Sequence, residues 1–444
     1  MASVFVQADD FSGAAEVGYC FVQHGLSTQL TLGTHDGDAS FRGLVTDVVV
    51  ADTHSRGLAG STAEALVKKA FSSGAASAAQ VAFKKIDSLW RGNVRAEVAA
   101  LTGLGFNAVV AGALPQLQRS VQNGQPLVAG TPLAETDLWQ AELSAPPADI
   151  PSLLRPEDPS SVESLNLAEV RSGSLVEKLS ALLGCDQAAL VVADGETVQD
   201  LEHVMDALLE LNFQACDRRI VLVGTGGTAD VLAQRLAAQL ARSAQVGAQA
   251  EAVTAEPQGP AKPVLAVVGS ASKTAQAQLA QLETQGFEVI RLHPQYAGAT
   301  GAYGPQLQEA RVALAAGTNV AVTLAAGKVD PARAASIVQA LSTFAAEAAQ
   351  GLEADLILTG GETAREVLDA VGLHSLVPLA AVQHGAVLSR ADDGTLVGTK
   401  PGSFGDDLAL QQLYDEIRER RGQSAPAPAN TLPRKTSERS GAEK

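Results

Sequence analysis

The sequence predicts an α/β protein of two domains, each a mainly parallel sheet flanked by helices. Three observations carry that expectation. Short apolar runs alternate with longer Ala- and Leu-rich stretches of helical period, the pattern of repeated βαβ units. The chain has 444 residues, more than one ordinary core sustains. Between them, 243–262 is rich in Ala, Gln and Pro with no apolar period, as a linker is. The expected division is a first domain over 1–242, a second over 263–421 and a disordered tail over 422–444, where Pro, Ser, Ala and charge take over.

Taken in order, the first half offers strands at 4–8, 44–51, 81–86, 108–111, 188–193 and 220–223, with helices at 14–24, 61–72, 93–101, 197–211 and 228–241. The second offers strands at 264–268, 288–292, 320–323 and 356–358, with helices at 272–285, 331–350, 363–371 and 406–421. The stretch 115–159 is too long for a simple connection inside a compact domain. It reads as a substrate cover or an interface.

Hydrophobic residues make up 46% and charged residues 18%, so the body of the chain can bury substantial layers. A net charge of −17 argues against nucleic acid or an anionic membrane as the main partner. An acidic protein that binds anions must gather its few cations locally. Cys20, Cys185 and Cys216 form no CxxC pair and read as reduced thiols. No signal-peptide pattern and no apolar run of about 18 residues is present, so a cytoplasmic protein is expected. The histidines show no metal-ligand spacing, and no metal site of the protein's own is expected.

Three strand ends in the first half carry chemistry. The first runs into Ala8-Asp9-Asp10-Phe11-Ser12-Gly13-Ala14. Open α/β sheets place ligands at such carboxyl ends, and a helix starting there aims free N–H groups at the same spot. Helix capping accounts for one acid but not for two adjacent ones. The second ends in Asp52-Thr53-His54-Ser55-Arg56, and the third in Lys84-Lys85-Ile86-Asp87-Ser88-Leu89-Trp90-Arg91-Gly92-Asn93. Carboxylates suit a general base, and clustered cations suit an acidic substrate. Gly92 permits a tight turn and Asn93 is a candidate cap for the following helix.

In the second half, Gly269-Ser270-Ala271-Ser272 and Thr359-Gly360-Gly361-Glu362-Thr363 join strands to helices, a geometry suited to phosphate. Plain capping explains such turns equally well. Lys400-Pro401-Gly402 precedes the last helix, with Lys400 able to neutralise a phosphate. No Walker A sequence and no Gly-x-Ser-x-Gly elbow occurs. Gly224–Ala229 fits a Gly-x-Gly-x-x-Ala dinucleotide pattern, but no strand with a terminal acid follows it.

The segments Ala8–Ala14, Asp52–Arg56 and Lys85–Asn93 together resemble the four-carbon acid sugar kinase family, whose amino-terminal domain carries an ADD(L/F)(T/S)GA turn, a DTxSR segment and a K(x)DSxxRGN segment. One departure is Leu89-Trp90 where the family pattern has Thr-Leu. It removes a hydroxyl and is expected to reshape the pocket. The resemblance implies an ATP-dependent kinase acting on a hydroxyl of a four-carbon sugar acid, with Mg²⁺ bridging the phosphates. It assigns Asp9 or Asp10 as the base, Arg56, Lys85 and Arg91 to the acid or the transferring phosphoryl group, and Asp87 to substrate placement. Ser270, Ser272, Gly360, Gly361, Glu362, Thr363 and Gly402 would hold the nucleotide, and a homodimer is the assembly to test for. The motifs look more like the threonate and erythronate branch than the 3-oxo-tetronate branch. The rivals are an NAD(P)-dependent oxidoreductase using Gly224–Ala229 and a non-catalytic sugar-acid sensor.

Overall fold

The computed structural model describes residues 3–33, 46–139, 144–183, 187–215, 217–244, 259–269, 272–297, 303–325, 333–383, 385–402 and 405–423. Most of the expected linker and tail lies outside these, as do Ser270, Cys185, Cys216 and His384. In the first half eight strands run parallel, in the order Thr28–Leu32, Val48–Asp52, Val4–Ala8, Val81–Lys85, Arg218–Gly224, Asn107–Ala111, Leu190–Ala193 and Glu163–Leu165. The central ones are buried along their whole length, as near-continuous Val, Ala and Phe runs require of a sheet covered on both faces.

Register brings the motifs together. Ala8 lies opposite both Asp52 and Lys85, and Lys85 opposite Gly224. The chain leaves Val4–Ala8 toward one edge and returns on its other side, so Asp9 and Asp10 sit at the topological switch point, where such sheets bind ligands.

The second half repeats this design. Glu288–Leu292, Val320–Leu324, Val264–Val268, Asp355–Thr359 and Leu396–Lys400 are parallel neighbours. The switch point falls between Val264–Val268 and Asp355–Thr359, so Gly269 lies beside the 360–363 turn. The chain then departs from expectation. Ser375–Gln383, Ala386–Ala391 and Leu396–Lys400 form an antiparallel meander, and Ser375–Gln383 pairs with Thr28–Leu32 through Ser375–Thr31 and Leu376–Leu30. Among the described residues one 16-stranded sheet therefore crosses both halves.

The 115–159 stretch holds a small antiparallel sheet of Arg119–Gln122, Gln125–Val128 and Thr131–Pro132. Asp194 anchors its tip, accepting from the N–H groups of Asn123 at 2.6 Å and Gly124 at 2.9 Å. Trp139 is buried, and its indole donates to Ser144 O at 2.8 Å. Among the described residues no helix is long and apolar enough to cross a membrane.

A buried ion pair joins the halves. Arg365, on the helix Gly361–Val371, donates from Nη1 to Asp52 Oδ2 at 2.8 Å, and neither side chain is more than 6% exposed. Burial raises the Asp52 pKa against the pull of Arg365, so the carboxylate depends on that partner to stay charged. Arg365→Leu leaves the acid unpaired in the interior and is expected to lower stability by roughly 3–5 kcal/mol, read by denaturant unfolding. A loss below ~1 kcal/mol would show that the pair does not hold the halves together.

Candidate active site

Arg56 organises the first site. Its Nε donates to Asp9 Oδ2 at 2.8 Å, and its Nη2 donates to Asp9 Oδ1 at 3.1 Å and to Asp10 Oδ1 at 2.8 Å. One planar fork thus spans both acids, which a lysine could not do. The two carboxyls differ. Burial pushes each upward, but at Asp9 the charges of Arg56, Lys84 and Lys85 outweigh burial, and its pKa falls below the ordinary value. At Asp10 burial and the neighbouring Asp9 charge prevail over Arg56 and Lys85, and the pKa rises. Asp10 also caps the helix Phe11–Gln23, its Oδ1 accepting from Gly13 N at 3.1 Å. Capping and site formation therefore share one side chain and one oxygen. The other oxygen, Oδ2, accepts no hydrogen bond among the described residues.

The third motif closes on itself. Arg91 donates from Nε to Asp87 Oδ2 at 2.7 Å and from Nη2 to Oδ1 at 2.9 Å, and Oδ2 also accepts the N–H groups of Leu89 and Arg91. These donors overcome burial and hold the Asp87 pKa well below the usual carboxylate range. Lys84 and Lys85 alternate across the strand. Lys84 is wholly buried and pairs with Glu97 at 2.9 Å, while Ser55 Oγ donates to the same carboxylate at 2.6 Å. Lys85 faces the site, 3.4 Å from Glu16; burial lowers its pKa, but Glu16, Asp10 and Asp9 raise it further.

Gly92 is required here: its φ is +86°, and a Cβ would lie 3.2 Å from Asp9 Oδ2 and 3.0 Å from Arg56 Cγ. Asn93 stands at the cap position of Val94–Gly103 without a capping hydrogen bond. Its amide instead donates to the carbonyls of Ser55 and Leu58, both at 2.9 Å, tying the second motif to the third. Trp90 is buried, its ring filling the space a Cβ on Gly112 would need. Of the departing pair only Leu89 lines the cavity, so the change adds an apolar wall there and repacks the core behind it.

That cavity, of about 670 Å³, is lined from both halves. Asp10, Arg56, Lys85, Asp87 and Arg91 face it from one side, and Gly361, Glu362 and Gly402 from the other. The halves touch closely: a Cβ on Gly361 would lie 2.6 Å from Ser12 Oγ and 3.4 Å from Asp10 Oδ2. Gly361 begins a helix after Gly360 at φ +86°, so unpaired N–H groups of its first turn open beside the Asp10 turn. Asp9, Gly360, Ser272 and Thr363 are not on the cavity wall. Ser272 caps Lys273–Thr284, accepting from Ala275 N at 3.1 Å. Thr363 packs where a Cβ on Gly269 would come within 2.6 Å. Lys400 is buried, its Nζ donating to Pro401 O at 2.8 Å and Gly402 O at 3.3 Å; burial pushes its pKa down to about 8. It shapes the Gly402 turn from beneath.

Ser12, Glu16, Ser88 and Arg119 line the cavity without having been given a role from sequence: Ser12 and Ser88 stand inside the quoted motifs, Glu16 and Arg119 outside them. Glu16 lies one helical turn after Gly13, so helical spacing from the Asp10 cap could have found it. Arg119 arrives on the covering sheet, from a segment with no motif of its own.

The Gly224–Ala229 turn has a packing explanation. Thr225 Oγ1 donates to Ala113 O and Thr228 Oγ1 to Ala111 O, each at 2.6 Å and fully buried. A Cβ on Gly226 would collide with the Glu16 carboxylate. An acid at the mouth of the turn repels a pyrophosphate, and the glycines serve close packing instead.

Residues 4–232 match the family of sugar-binding N-terminal domains, and residues 265–410 that of nucleotide-binding C-terminal domains. The chain is 32% identical over 434 residues to the D-threonate kinase of Cupriavidus necator, spanning 95% of this chain and 100% of that one. It is 29% identical over 420 residues to the 3-oxo-tetronate kinase of Methylobacterium radiotolerans, spanning 90% and 95%. A solved Salmonella typhimurium LT2 protein superposes with a TM-score of 0.76 at 20% identity, over 94% of this chain and 100% of that one, a likeness of fold. With sugar-binding and nucleotide-binding halves closing on one cavity, and a relative aligned over nearly its full length, the chain belongs to the four-carbon acid sugar kinase family.

Proposed function

We propose that the protein transfers the γ-phosphoryl group of ATP to a hydroxyl of a four-carbon sugar acid, with D-threonate as the first substrate to test. The observation that carries this reading is the pairing across the cavity. A carboxylate with a raised pKa and an open oxygen, Asp10, stands beside the first turn of the helix Gly361–Val371.

Phosphoryl transfer asks the protein to align donor and acceptor and to stabilise charge. Asp10 Oδ2 is free to accept the proton of the acceptor hydroxyl while Oδ1 stays fixed by Gly13 and Arg56. Asp9, held ionised by Arg56, keeps that guanidinium in place and does not itself take the proton. Lys85, loosely paired with Glu16, can turn its charge to the transferring group. The N–H groups at Gly361 and Glu362 and the Gly402 turn would receive phosphate oxygens. Ser272, Gly360 and Thr363 act from behind by setting those turns, and Ser270 stands with Ser272 in the sequence.

Mg²⁺ arriving with the nucleotide would supply the positive charge that neutralises the phosphates during transfer. Such an ion keeps several waters and needs only one or two protein carboxylates. Glu362, on the cavity wall opposite Asp10, is the carboxylate that would hold it and leaves Asp10 Oδ2 to the hydroxyl proton. A homodimer is part of the proposal and is read by sedimentation.

A second substrate class is favoured by Leu89, which withdraws a hydroxyl from the wall, and by the 3-oxo-tetronate kinase relative. An ADP-release assay with Mg-ATP over D-threonate, D- and L-erythronate and 3-oxo-tetronates separates them. Turnover is expected with D-threonate or D-erythronate above the oxo acids, and no turnover with any of them would sink the reading.

Asp10→Asn is expected to lower kcat by about 10²- to 10⁴-fold, while calorimetry finds ATP affinity unchanged. Loss of ATP binding as well would refute the division of labour between the halves. The base works only when ionised, so kcat/KM falls as pH drops through its pKa. Because that pKa is raised, the acid limb of the wild-type profile should lie above the ordinary aspartate range and vanish in Asp10→Asn.

A further inference from the structure

Four of the cavity's side chains are the cations Arg56, Lys85, Arg91 and Arg119. Three of them face carboxylates: Arg56 spans Asp9 and Asp10, Arg91 is forked onto Asp87, and Lys85 leans toward Glu16. Arg119 has no carboxylate within ion-pair distance among the described residues. It opens the strand Arg119–Gln122 of the covering sheet, fixed to the preceding loop by paired backbone hydrogen bonds with Leu114. Nη1 donates to Ser88 Oγ, and Nε is buried without a partner. Burial lowers its pKa below that of an ordinary arginine.

Asp87 and Glu16 act on this guanidinium only from beyond ion-pair distance and do not outweigh its burial, so part of its desolvation cost stays uncompensated. Leu114, Leu117 and Leu138 line the cavity beside it, and an apolar surround strengthens any ion pair formed there. The bidentate Asp87 pair leaves Arg91 little to offer a second carboxylate, whereas Arg119 has donors to spare.

We propose that Arg119 receives the carboxylate of the sugar acid, with Ser88 steering its guanidinium, so that acids are told from neutral polyols by the cover and not by the three strand-end motifs. The assignment rests on the sugar-acid kinase reading above. The acid would lie with its hydroxyl end at Asp10 and its carboxylate under the covering sheet.

Steady-state kinetics with D-threonate and with the tetritols, which lack the carboxylate, test this in wild type, Arg119→Gln and Arg119→Lys. In Arg119→Gln the KM for the acid is expected to rise about a hundredfold, with a smaller fall in kcat and no change in the KM for ATP. The preference for acid over tetritol should collapse. Arg119→Lys, a point charge without the fork, should fall between. A wild-type KM and an intact acid preference in Arg119→Gln would overturn the assignment. Thermal melting checks that the variants fold, and should Arg119→Gln fail, Arg119→Lys decides by the same criteria. If wild type turns over no four-carbon acid, the kinase reading has failed. Calorimetric binding of D-threonate to wild type and variant then decides Arg119 separately: equal affinity overturns it, and binding lost with the arginine upholds it.

Discussion

The site depends on Arg56 lying across Asp9 and Asp10. Two carboxylates on consecutive residues at a buried strand end repel one another, and burial alone would protonate both. The guanidinium resolves this unequally. It grips Asp9 through two hydrogen bonds and Asp10 through one, so one acid becomes a fixed anion and the other keeps an open oxygen and a raised pKa. A strand end with one acid could cap the helix; with two acids and an arginine it can cap the helix and present a base.

That arrangement in turn relies on register. Arg56 reaches Asp9 because Val48–Asp52 pairs with Val4–Ala8 so that Asp52 lies opposite Ala8. A slip of one residue would turn every side chain of either strand to the other face. The neighbouring loops are stitched by Asn93 and given room by Gly92 at positive φ. Thus residues that do not line the cavity, including Lys84, Glu97 and Ser55, form a buried network behind the site that fixes the three strand ends relative to one another.

The parallel strands and their flanking helices were legible in the sequence because apolar runs and helical periods are local signals. The three motif-bearing strand ends were legible for a related reason: their polar residues follow directly on strands whose apolar character is plain. The meander at 375–400 was not, since Ser375–Gln383 is half-buried and its pairing partners were set by tertiary contact, although Asp393-Gly394 is a hairpin turn signal. Thr28–Leu32 has two threonines and a glutamine among its five residues and so offered no apolar run. Which aspartate keeps an open oxygen could not be read either, because both are identical in sequence and differ only in what Arg56 leaves unbound. Arg119 is the clearest case of this limit. Nothing around it in the chain marks it, and only the fold of the cover brings it beside Ser88.

The two halves use the same device for different ends. Each places a turn at the switch point of a parallel sheet, yet the first half fills its turn with acids and cations and the second with glycines and hydroxyls. A turn built of charged side chains recognises a small polar molecule by its individual groups. A turn built of glycine offers backbone N–H groups, which suit the uniform oxygens of a phosphate chain. The Asp52–Arg365 pair then sets these unlike turns face to face, because it links the second motif to the very helix whose first residue meets Ser12 and Asp10. Had the motif's aspartate been a ligand for substrate, its burial beyond reach of the cavity would be unexplained. As the partner of Arg365 it has a purpose that its place in the motif foreshadows, for the charged turn of the first half and the glycine turn of the second are held by one ion pair.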